Sequence, residues 1–211
     1  MRRLLLSLWL AAPVGAFAYH MGPGQDLMRN DAAQTWITNA NAFAASATAI
    51  SLVQGESAAN DKWSQAESAY AEALALLSED QVFERRSVRL ERAKCQMQIS
   101  QLPEANSELS KLVEELQGDE DANPELLADA RRTLANSEYY MTWLMRLEGL
   151  GRDEWEPHIE AARQTFKLLA VEAQKDGNEA LLKKSTQDLE ASIRLARIDL
   201  TELQGLPLPS Q

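Results

Sequence analysis

Beyond about residue 30, apolar residues recur every three or four positions. Nowhere do they alternate with polar ones in a run rich in Val, Ile and Thr. That period marks helices with one buried stripe and predicts an all-α chain without strands. The first helix is expected from about Asp31 to Val53, with Ala33, Trp36, Ala40, Phe43, Ala47 and Ile50 along its stripe. Gln54-Gly55-Glu56-Ser57 breaks the pattern, and Asn60 or Asp61 caps a second helix from Lys62 to Leu77. Ser78 and Gln81 have capping-box spacing and open a third, reaching about Gln101, with Phe83, Leu90, Ala93 and Met97 inward. Pro103 sits where a first-turn proline is tolerated and starts a fourth, through Leu116. Asn123-Pro124-Glu125 combines a cap, a first-position proline and a first-turn acid, so a fifth helix runs from there to about Gly149. Pro157 begins a sixth, ending near Ala173, and Gly177-Asn178 opens a seventh that Gly205 ends. About seven helices follow, and loops this short set neighbours antiparallel in a domain over 26–205.

The amino terminus follows another pattern. Met1-Arg2-Arg3 is a short basic stretch, followed by an uncharged run from Leu4 to Ala18 that closes on Ala16-Phe17-Ala18. Small residues at Ala16 and Ala18 suit a signal peptidase, whose pockets admit only short side chains. As a helix the run spans roughly 22 Å, short of the ~30 Å hydrocarbon core. Residues 1–18 are therefore expected to be a cleaved signal peptide. The alternative is an uncleaved membrane anchor with Trp9, Tyr19 and His20 at the interface. Both readings place the rest of the chain outside the cytoplasm, periplasmic or secreted, or held at the inner membrane. Residues 19–25 read as a turn-rich linker, and 206–211 (Leu-Pro-Leu-Pro-Ser-Gln) as an extended tail.

Charge narrows the partners. Of 211 residues 45% are hydrophobic and the formal charge is −11, which argues against a nucleic-acid grip. Loss of residues 1–18 removes Arg2 and Arg3 and takes the charge to −13. One cysteine, Cys95, allows neither an intrachain disulfide nor a cysteine-based zinc cage, and it reads as a packed thiol. Glu154, His158 and Glu160 lie close in sequence but supply too few converging ligands for a metal site. No GxSxG, phosphate-binding glycine loop or GxGxxG is present, so no enzyme activity, cofactor or metal is expected.

Three helices share a pattern of a small residue, then a large one, then an apolar one. The copies are Trp63, Ala66, Tyr70, Ala73, Leu74; then Leu102, Ala105, Leu109, Leu112, Val113; then Ile159, Ala162, Phe166, Leu169. A small residue lets a paired helix approach closely while the larger ones fill the groove beside it. The pattern resembles the second helix of a tetratricopeptide (TPR) unit over roughly residues 40–170. Ala66, Ala105 and Ala162 match the family's small packing position, Tyr70, Leu109 and Phe166 its bulky one, and Ala93 the small position of a first helix. The resemblance implies a right-handed solenoid of helix pairs and a protein-binding scaffold without chemistry. The other reading of the same alanines is an irregular helical bundle.

Two clusters point to a partner. Arg85, Arg86, Arg89, Arg92 and Lys94 crowd the third helix; Arg85, Arg89 and Arg92 share about 60° of arc away from the apolar stripe. They read either as a solvated face balanced by nearby acids or as a clamp for the carboxylates of an acidic peptide. Tyr139, Tyr140, Trp143 and Arg146 form the second cluster. Consecutive side chains turn by about 100°, so these residues either bury against two neighbouring helices or expose a binding hot spot. The expected function is a protein-interaction adaptor outside the cytoplasm that binds a protein or acidic peptide in a helical groove. The alternative is a membrane-anchored structural or accessory subunit of an envelope complex.

Overall fold

A computed structural model describes residues 23–204, which form eight helices. These are α1 (Pro23–Gln54), α2 (Glu56–Leu76), α3 (Val82–Gln98), α4 (Leu102–Gln117), α5 (Pro124–Leu147), α6 (Arg152–Lys175), α7 (Glu179–Arg197) and α8 (Leu200–Gln204). The all-α class is as expected; the expected signal or anchor with Ala16 and Ala18, and residues 206–211, lie outside the described residues.

Several boundaries differ from the sequence reading. Residues 23–25 of the expected linker belong to α1, because a proline in a first turn forfeits no helical hydrogen bond. Gly55 takes φ 89°, so the chain reverses at once and α2 starts at Glu56, without Asn60 or Asp61 as its cap. Pro157 does not start α6 but lies in its second turn; Glu154 instead accepts from Gly151 N–H at 2.9 Å at the helix start. The seventh expected helix is two. Ile198 is extended at ψ 144°, and Asp199 Oδ1 accepts from Glu202 N–H at 2.8 Å, opening α8. The start of α5 is as read: Asn123 Oδ1 accepts from Leu126 N–H at 2.9 Å.

From α1 to α7 each helix packs chiefly on its neighbours in sequence; a smaller contact joins α3 to α5, and α8 packs back on α5. Four apolar clusters result, strung along the chain instead of gathered in one centre. The first hairpin has the largest contact. Its seam carries Ala33, Ala40 and Ala47 from α1 and Ala59, Ala66 and Ala73 from α2, all fully buried. Both series step by seven residues, the 3.5-residue period of a coiled-coil seam with alanine as the inward residue. Side chains this small let the two backbones close up and leave no room for bulk. Trp36, expected on the stripe, is therefore displaced to the flank and 38% exposed. Phe83, expected inward, is 54% exposed in the first turn of α3.

The matched positions are core except Trp63 and Leu74, which are half-buried. Ala93, Leu102, Ala105, Leu109 and Leu112 bury between α3, α4 and α5, while Ala162 and Phe166 of α6 bury with Ala135 of α5. Ala66, Ala105 and Ala162, with Tyr70, Leu109 and Phe166, thus occupy alternate helices, α2, α4 and α6. The Tyr70 hydroxyl donates to Asn41 Oδ1 at 2.6 Å, which satisfies the polar end of a buried ring. At the α3 terminus Ser100 holds φ 64°, and Gln101 N–H reaches back to Gln96 O at 3.0 Å. That is a Schellman ending with serine in the left-handed seat; Gly149 and Gly177 fill the same seat after α5 and α6.

Candidate functional site: a groove floored by α3

The cations of α3 all find partners within the chain. Arg85 Nη1 donates to Leu77 O at 2.7 Å and Leu74 O at 3.3 Å, covering the last carbonyls of α2. Helix ends leave such acceptors without donors and carry partial negative charge, so an arginine suits them twice over. Arg92 pairs with Glu67 of α2 at 2.7 Å. Arg89 pairs with Glu108 and, at 2.6 Å, with Glu115 of α4; that pairing pulls the Glu115 carboxyl below its usual range. Arg86 meets Asp119 at 2.5 Å, and Lys94 meets Glu91 at 2.7 Å and Asp129 at 2.8 Å. The shared arc of Arg85, Arg89 and Arg92 thus straddles the seams of α3 with α2 and α4. Arg89 and Arg92 take their carboxylates, and Arg85 its carbonyls, from this chain.

The aromatic cluster buries on two sides, the first of the two outcomes expected for it. Tyr140 and Met141 pack toward α3 and α4, while Tyr139 and Trp143 pack toward α6, α7 and α8. Arg146 belongs to that second side. It donates to Leu195 O and, at 2.5 Å, to Ile198 O, and it lies over the Trp155 ring at 4.9 Å. It therefore covers the carbonyl end of α7 as Arg85 covers that of α2.

The remaining chemical candidates are also absorbed. Burial pushes the Cys95 thiol up to about 12, with Glu91 and Glu67 adding to the effect. A thiol held so far from ionisation is a poor nucleophile. His158 Nδ1 meets the buried Glu138 of α5, a residue the sequence did not single out. Glu160 pairs with Arg163 at 2.7 Å, and Glu154 serves the α6 terminus. Among the described residues no three His, Cys, Asp or Glu side chains converge as a metal site would need.

What the strip does not provide, a groove does. Its floor is the end of α3, with α2 on one side and α5 and α7 on the other. Two hollows run together along it, sharing Met97, Gln98 and Tyr140. One, about 480 Å³, is walled by the start of α2, the α3–α4 turn with Ser100, Leu102 and Pro103, and Trp143 and Leu144. The other, about 440 Å³, is walled by Trp63, Lys94, Asp129, Arg132, Lys184 and Asp188. Asp129 is held by Lys94. Arg132 and Lys184 lie within electrostatic reach of Asp188, yet among the described residues no carboxylate forms an ion pair with either. Arg132 Nε is buried without an acceptor. Burial raises the Asp188 carboxyl above its usual range even though Lys184 and Arg132 pull it down.

Of these groove residues, the sequence reading named Trp63, Met97 and Leu102 as packing, Lys94 in the cation cluster, and Tyr140 and Trp143 as candidates for a partner. It missed Arg132, Lys184 and Asp188, which reach the groove from α5 and α7 and carry no local motif. No family model, curated protein or solved structure matches the chain.

Proposed function

We propose that this chain is a non-catalytic protein-binding scaffold that works outside the cytoplasm and receives a segment of its partner in the groove between α2, α5 and α7. The observation that carries the reading is that groove, concave and lined by five helices, with two cations that have no ion-pair partner among the described residues and aromatic side chains beside them. Concave sites lined by apolar groups with a few convergent polar ones are where ligands bind. Tetratricopeptide-like pairing fits the same picture: the matched alanines lie on alternate helices, and first helices α3 and α5 touch. The basic start, the uncharged run and Ala16-Phe17-Ala18 support export.

A photo-cross-linking amino acid at Gln98, in the groove, and another at Lys167, on α6, separate the faces. Expression in the exported state should trap a protein partner from Gln98 and not from Lys167. Equal trapping at both positions, or at Lys167 alone, removes the groove from the proposal. The anchored-subunit reading draws on Trp9, Tyr19 and His20 flanking the apolar run. An intact amino terminus in a washed membrane fraction would favour it; a soluble chain beginning near Tyr19 favours the scaffold.

A further inference from the structure

The two hollows differ in chemistry, and the difference defines what fits. The hollow at the α3–α4 turn sets Met97, Leu102, Pro103, Trp143 and Leu144 beside the uncharged polar side chains of Ser57, Asn60, Gln98 and Ser100, and among its described lining residues Glu56 alone carries a formal charge. The hollow beside it brings Lys94, Arg132 and Lys184 against Asp129 and Asp188. Lys94 is taken up by Glu91 and Asp129 together, and among the described lining residues Asp188 is the acid left to face Arg132 and Lys184. Two cations facing one carboxylate, with Arg132 Nε buried and lacking an acceptor, make that end of the hollow complementary to a further acidic group. Resting on the scaffold reading above, we infer that the groove takes an extended peptide segment of a partner protein that sets a bulky apolar side chain beside Trp143 and Leu144 and an acidic side chain against Arg132 and Lys184.

The order of the two ligand groups follows from the order of the hollows, which meet at Tyr140. An extended chain advances roughly 3.3 Å per residue and points alternate side chains the same way, so the apolar and acidic residues fall within a few positions of each other. A guanidinium beside an ammonium can take one carboxylate with charge-assisted hydrogen bonds, which are short and directional. Loss of one such contact lowers affinity about tenfold.

The test is selection of random peptides displayed on phage against the full chain, with soluble fluorescent copies of the winners measured by anisotropy. Winners should carry Asp or Glu within a few residues of Leu, Ile, Phe or Trp. Arg132→Gln with Lys184→Gln should weaken them about a hundredfold, and Asp188→Asn should tighten them. Wild-type affinity should fall as salt rises. Circular dichroism melts confirm that each variant is folded. Winners without acidic bias that are lost in Leu144→Ser but kept in the double variant overturn this inference and leave the groove reading standing. Winners indifferent to every groove variant, or no winners at all, overturn both. If instead the chain alone is a dimer that the double variant dissolves, the occupant is a second copy and the inference falls.

Discussion

Arg146 offers the sharpest test of how this fold is closed. Its guanidinium donates to Leu195 O and Ile198 O at the end of α7 and covers the face of Trp155. Leu195, Ile198 and Trp155 are all buried, so truncation to alanine strands two acceptors where water reaches poorly. A hydrogen bond from a charged donor contributes about 1.5–3 kcal/mol, and the ring contact about 0.5–1 kcal/mol. Partial hydration of the opened site returns some of this, which leaves a loss of about 3–4 kcal/mol for Arg146→Ala. A domain of typical stability, about 5–15 kcal/mol, would feel that strongly. Urea unfolding followed by circular dichroism measures the total, and tryptophan fluorescence follows the Trp143–Trp155 cluster once Trp9, Trp36 and Trp63 are replaced by Phe. Arg146→Lys should fall between, since an ammonium keeps the charge but cannot fork to two carbonyls. Arg152→Ala is the control, because its pair with Glu156 is solvent-exposed and such pairs contribute under about 1 kcal/mol. Equal losses for Arg146→Ala and Arg152→Ala would refute the capping role and return Arg146 to the pool of partner-binding candidates.

Three further outcomes are expected. Ser100→Gly should raise stability by about 0.5–1 kcal/mol in the same urea assay, since φ 64° strains any residue with a Cβ; a loss would mean the serine side chain does something there. Ala40→Leu and Ala66→Leu should each cost about 1–3 kcal/mol, because a seam of alanines has no space for three more carbons, and unchanged melts would disprove the close seam. Asp188→Asn should raise the melting temperature at pH 7, with the gain shrinking as pH falls. The folded chain holds that proton more tightly than the unfolded one, so ionisation above the raised folded value costs stability that protonation restores. A variant that is less stable at pH 7 would show that its attraction to Arg132 and Lys184 outweighs burial.

Much of this was readable one helix at a time. The periodicity located the helices, Asn123-Pro124 gave the start of α5 to the residue, and the crowding of Tyr139 through Trp143 left either a second neighbour or an exposed patch, of which α5 has the neighbour. Two local signals were present and overlooked. Ala59 completes a seven-residue series with Ala66 and Ala73, and Asp199 stands three residues before Glu202 where a cap belongs. The arginine strip was open to two readings that no single helix could separate. A helical wheel locates side chains around one axis, but Arg89 is neutralised from α4 and Arg92 from α2, and only the packing of three helices tells which carboxylates arrive. The groove is further still from local reading, since Trp63, Arg132 and Lys184 come from three helices that share no sequence pattern. Glu138 meets His158 across the α5–α6 seam, where neither residue signals the other.

Chain-order packing of the helices has a kinetic consequence. Nearly every tertiary contact joins elements adjacent in sequence, so contact order is low and the entropy of closing long loops hardly enters the barrier. The α1–α2 hairpin can zip along its alanine seam as soon as about 55 residues of the domain have emerged, and each later helix adds onto a template already formed. Unfolding should retrace this by peeling from the ends, α8 and α7 first, with hydrogen-exchange protection greatest where α5 is held on both sides. A chain emerging amino terminus first thus reaches its final shape progressively, without waiting for its last residue.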